Sequence, residues 1–138
     1  MVTFNEMLVA TSISDVPIAH QQNIAELLKR VNVLRAEWGK PMKVTSGYRT
    51  LQDHLRIYHD IAKRAGKDFR PESVPMRSQH LIGASIDIYD PGLTLTKWLK
   101  EENSKRLVAV QLYAEEGNSN WVHLQLFPPA SGKRWFLP

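Results

Sequence analysis

Residues 20–38, "HQQNIAELLKRVNVLRAEW", set the strongest constraint on how this chain can fold. Ile24, Leu27, Leu28, Val31, Leu34 and Trp38 recur at three- and four-residue intervals. That spacing predicts an amphipathic helix with one apolar face. Gly39 and Pro41 then supply stop signals. Such a helix must bury its stripe against a second layer, which the remaining residues have to build.

Those residues read as short strands and helices. "MKVTS" (42–46) predicts a strand, with a turn at Gly47. "RTLQDHLRIYHDIAKRAGK" (49–67) predicts a second helix with Leu51, Leu55, Tyr58 and Ile61 or Ala62 on its inner face, closed by Gly66. Residues 67–79 carry two prolines and mixed charge, the composition of a loop. Residues 84–90, "ASIDIYD", predict a strand with Ser85, Asp87 and Tyr89 on one side and Ile86 and Ile88 on the other. Pro91 and Gly92 turn the chain into a short helix over 94–104, with Leu95, Trp98 and Leu99 inward. "LVAVQLY" (107–113) and "WVHLQLF" (121–127) predict two strands paired as a hairpin across the turn at 115–120. This order predicts a single α+β domain over residues 1–138, with a small, mostly antiparallel sheet packed with about three helices.

Composition narrows the function. At 138 residues and 43% apolar content the chain can bury a real core. There is no run of about 18 apolar residues, so no membrane span is expected. The first residues lack a basic start and a continuous apolar block, so no secretory signal is expected. There is no cysteine, which excludes disulfides and thiolate ligands. Any transition metal must therefore be held by His, Asp or Glu. The net charge of +4 favours encounter with polyanions, including nucleic acid, anionic lipid and bacterial cell wall. The basic run "KRAGKDFR" (63–70) comes with no helix-turn-helix or other recognition signature, so no nucleic-acid partner is expected. The chain is expected to act as a monomer.

Of the five histidines, His20, His54 and His59 read as surface or partly packed residues of helices. His80 and His123 differ. His80 precedes Gly83 and a strand, and His123 lies inside an apolar strand on one face with Trp121 and Gln125. If the two strands are neighbours, Asp87 and His123 converge, and His80 joins them from the preceding loop. Two imidazoles and one carboxylate are a recurring ligand set for catalytic zinc, with a fourth position left for water. Buried His–Asp pairs also serve structure alone.

Three segments, "SGYR" (46–49), "SQHLIGASID" (78–87) and "NWVHLQ" (120–125), come in an order that resembles the zinc D-Ala-D-Ala carboxypeptidases and phage L-alanyl-D-glutamate endopeptidases. The hallmark of that group is S-x-H-x-x-G-x-A-x-D followed by W-x-H or V-H, and the resemblance runs over residues 20–138. It implies a small, endolysin-like zinc peptidase that cleaves the peptide moiety of bacterial peptidoglycan. One zinc ion would be held by His80, Asp87 and His123. Arg49 would bind substrate and stabilise the developing oxyanion. Ser78 and Gln79 would hydrogen-bond substrate, orient His80 or cap the loop, and Tyr48 would wall the cleft or pack in the core. Trp121 and the 67–79 loop would shape specificity. The resemblance also implies residence in a host cytoplasm until release to the wall.

Two positions depart from the pattern. Ser85 stands where relatives usually have Ala. Asn120 stands three residues before His123, where many relatives carry the general base, and an amide cannot take up a proton there. Glu115 and Glu116 are the nearest carboxylates, and Glu115 is the closer match to phage sequences with a similar "NWVH" segment. A rival reading is a zinc-binding wall-recognition or virion protein of the same fold with little or no turnover.

Overall fold

The computed structural model describes residues 1–8 and 11–138. Helix α1 (Phe4–Leu8) opens the chain. Its start is a reciprocal cap: the Glu6 amide donates to the Thr3 hydroxyl, and the Thr3 amide donates to the Glu6 carboxylate. Helix α2 spans Ile18–Trp38 and ends at Gly39, whose φ of 71° suits a residue without a Cβ. Its buried residues are Ile24, Leu27, Leu28, Val31 and Leu34, the stripe expected from the sequence.

Strand β1 (Val44–Ser46) follows, then α3 (Leu51–Arg64), capped by the Thr50 hydroxyl accepting from the Asp53 amide. Strand β2 is Ser85–Tyr89 and α4 is Thr94–Val110. Strands β3 (Tyr113–Glu115), β4 (Trp121–Gln125) and β5 (Trp135–Phe136) complete the chain. The sheet order is β1-β2-β4-β3-β5. All pairings are antiparallel except β3 with β5. The α+β class and the β3–β4 hairpin agree with expectation, and α1 is a fourth, short helix.

The core lies on one side of the sheet. Ile86, Ile88, Val122, Leu124 and Ala114 join the α2 stripe and Leu95, Leu99 and Leu107 of α4 in one buried cluster. Trp98 of α4 meets Trp38 of α2 with ring centroids 5.1 Å apart.

Two expectations need correction. Residues 107–110 are helical, and the strand begins only at Tyr113. Leu107 is buried and Val108 half exposed, with Val110 packed against the core, so the inward spacing is three and not two. Packing against α2 overrides the β-branched composition. Before this turn the α4 backbone breaks at Glu101, and Glu102, Asn103 and Ser104 take left-handed dihedrals. In α3 the expected inner residues Leu51 and Ile61 are about half exposed, and the fully buried residue is His54. Its Nε2–H donates to the Pro75 carbonyl at 2.7 Å, which satisfies one ring nitrogen and ties α3 to the 67–79 loop.

Candidate metal centre

The side of the sheet away from the core carries the polar residues of β2 and β4. Asp87 and His123 are direct cross-strand partners. Ser85 faces Gln125 on one side of that pair, and Tyr89 faces Trp121 on the other. His80 reaches the same face from a 3-10 turn, Gln79–Ile82, in which the Ser78 hydroxyl accepts from the His80 amide. Gly83 ends the turn at φ 75°. A Cβ there would lie 2.7 Å from Ile24 and 2.8 Å from the His20 carbonyl, so the turn sits directly on α2.

The two imidazoles are held by opposite nitrogens. His80 Nδ1 lies 2.7 Å from the Gly47 carbonyl oxygen, which can only accept, so Nδ1 carries the proton and Nε2 presents its lone pair. That Nε2 faces Asp87 Oδ2 at 3.3 Å. His123 Nδ1 lies 2.8 Å from Asp87 Oδ1, and its Nε2 lies 2.9 Å from Gln125 Oε1. Ligand atoms of His80, Asp87 and His123 all lie within 4.8 Å of one another. A buried imidazole lone pair facing a carboxylate oxygen is two acceptors in contact, an arrangement that a shared cation relieves. The donor set therefore fits a divalent ion such as zinc, which takes His nitrogen and carboxylate oxygen.

Burial sets the electrostatics. It pulls the pKa of His80 down, against the negative charge of Asp87. Burial pushes Asp87 up, but the hydrogen bond from His123 and the charges around the carboxyl outweigh it and hold it well below the usual range. For His123 burial pulls down, yet the hydrogen bond and charge of Asp87, with Gln125 and Glu115, leave the pKa raised.

Arg49 lies beside the cluster, with its Nη2 3.9 Å from Asp87 Oδ2. The guanidinium donates twice to the Ser46 hydroxyl, at 3.1 and 3.0 Å, and the Arg49 amide donates to the His80 carbonyl. Glu115 follows Ala114, the partner of Leu124, and so falls opposite His123 on the metal face. Burial raises its pKa, with the Asp87 charge adding to the rise and His123 opposing it. Glu116 points the other way, into an ion pair with Lys100 at 2.8 Å. Asn120 is exposed, and its carbonyl accepts from the Asp90 amide.

The other expected residues are placed more variously. Ser78 caps the turn that carries His80. Gln79 is taken up by the Phe127 backbone, donating to its carbonyl and accepting from its amide. Tyr48 is buried, with its hydroxyl 3.1 Å from His20 Nδ1. Trp121 is half-buried at the outer end of the metal face. Three contributors had no assigned role in the sequence: Ser46, Gln125 and Phe136. Phe136 sits edge-on to His123, ring centroids 6.2 Å apart. The first residue of "SGYR" and the face shared by His123 and Gln125 were the available signals for two of them. Phe136 comes from a strand that only the fold brings in.

A buried His–Asp–His set flanked by an arginine and a half-buried glutamate defines a candidate metal centre of the hydrolytic kind. Residues 18–123 match the family model VanY, D-alanyl-D-alanine carboxypeptidase, and the chain belongs to that family. It is thus a peptidase of the class that acts on peptidoglycan, in a metal-dependent family. No curated protein matches the chain. The family match ends at His123, so Gln125 and β5 lie beyond it.

Proposed function

We propose that residues 1–138 form one zinc-dependent peptidase domain that cleaves the peptide moiety of bacterial peptidoglycan, as an endolysin-like, phage-type lytic enzyme. The observation that carries this reading is the convergence of His80, Asp87 and His123 with Arg49 and Glu115 on one sheet face. His80 through Nε2, His123 through Nδ1 and the Asp87 carboxylate would hold the ion. When bound there, zinc supplies Lewis acidity and lowers the pKa of a water nucleophile. Glu115 takes the proton released as water attacks the scissile carbonyl and passes it to the leaving amine. Burial raises its pKa, which favours proton uptake. Arg49, anchored by Ser46, offsets negative charge on the carbonyl oxygen as it develops. Trp121 and the 67–79 loop contribute to substrate selection. The protein works as a monomer and stays in the host cytoplasm until it is released to the wall.

Purified peptidoglycan provides the test. Zinc-loaded protein should release new amino groups, and chelation should stop the release. Glu115→Gln should lower the rate about 10²–10⁴-fold while zinc still binds. Glu116→Gln should leave it unchanged. Full activity in Glu115→Gln would remove that carboxylate from the base role. The exposed amide at Asn120 favours a second reading, a zinc-binding wall-recognition or virion protein with little turnover. Zinc binding with no amino-group release from any peptidoglycan would select it.

A further inference from the structure

We propose that Gln125 is a positioning residue that fixes which nitrogen of His123 faces the metal. The inference rests on the metal reading above and deepens it. Gln125 is buried, and its Oε1 lies 2.9 Å from His123 Nε2. Its amide orientation is not free. The Nε2 group of Gln125 donates to the Phe127 carbonyl at 2.9 Å, and that carbonyl can only accept. The oxygen end must therefore point at His123. An oxygen at that position requires a proton on His123 Nε2, which leaves Nδ1 to the Asp87 side.

His80 is set by the same logic in mirror form. The Gly47 carbonyl takes its Nδ1–H, and Nε2 faces the cluster. Phe127 also links the two ligand-bearing segments, because Gln79, next to His80, binds both its amide and its carbonyl. A continuous chain of donors and acceptors thus runs from Gln79 through Phe127 and Gln125 to His123. Partners of this kind fix ligand orientation and raise ligand basicity.

The test uses the full chain and zinc itself. Zinc affinity is measured by competition with a chromophoric chelator. Gln125→Met removes the acceptor at similar volume and should weaken zinc binding about 10–100-fold. Gln125→Glu keeps an acceptor oxygen but loses the donor to Phe127, and should stay near the wild-type affinity. A purely architectural role for Gln125 predicts equal losses in both variants, since both break the bond to Phe127. Equal losses, or wild-type affinity in Gln125→Met, would overturn the proposal. A measurement on the unaltered protein guards against misfolded variants. Nitrogen-15 NMR of the zinc-loaded chain should place the His123 proton on Nε2, and a proton on Nδ1 would also overturn it. If the wild-type chain takes up no zinc, the metal reading itself fails and this inference with it.

Discussion

At the scale of single residues, the metal face holds groups whose neighbours dictate their chemistry. Ser85 is fully buried, and its hydroxyl has no hydrogen-bond partner among the described residues. A buried hydroxyl without a partner carries an uncompensated desolvation cost. Ser85→Ala is expected to raise stability by about 1 kcal/mol, read as a higher urea midpoint. Gly47 is constrained differently. A Cβ there would lie 2.5 Å from the Met7 carbonyl oxygen, which already accepts from the Tyr48 amide. Gly47→Ala should cost about 1–3 kcal/mol and move the carbonyl that holds His80. Asp87 gives a pH signature. Its pKa is depressed in the folded chain, so between that value and the ordinary one, about 3.9, only the unfolded chain binds the proton. Its contribution is complete above about pH 5 and falls as the pH drops through about 4. Urea unfolding of metal-free protein at pH 7 and pH 3 should show the loss, and Asp87→Asn should flatten it.

At the scale of elements, α4 depends on a residue outside it. Asp90 is buried, and its carboxylate accepts from the amides of Leu95 and Thr96 and from the Thr96 hydroxyl. The Asp90 amide donates to the Asn120 carbonyl at the approach to β4. One residue therefore joins the start of α4, through its side chain, to the strand that carries His123, through its backbone amide. Asp90→Ala should cost about 1–3 kcal/mol by leaving helix amides without partners, seen as a lower melting temperature. The left-handed residues Glu102–Ser104 belong to the same element. They turn α4 so that Leu107 returns to the core, and Ser104 accepts from the Trp135 indole of β5.

At the scale of the whole molecule, the three candidate ligands come from separate segments that only the folded chain brings together. The unfolded chain has no such site, so zinc should stabilise the native state by mass action. At a hundredfold excess over its dissociation constant the gain is about 2.7 kcal/mol, read as a rise in melting temperature that chelator reverses. The absence of cysteine makes this linkage clean, because no thiolate competes for metal in the unfolded chain.

The sequence by itself determined the α2 stripe and the β2 and β4 alternation, because periodicity is a local property of the chain, and its short motifs singled out His80, Asp87 and His123, which the fold brings together. Residues 107–110 read as a strand but fold as helix, because a β-branched composition says nothing about the α2 face they pack against. The cap at Thr3 and Glu6 is legible in "TFNE", a local pattern of the chain. Only the tertiary structure separates Glu115 from Glu116 in space. The register of β3 on β4 sets Glu115 opposite His123, while Glu116, just past the end of the strand, pairs with Lys100. The burial of His54 and the approach of Phe136 were likewise settled by long-range contacts, which no window of sequence contains.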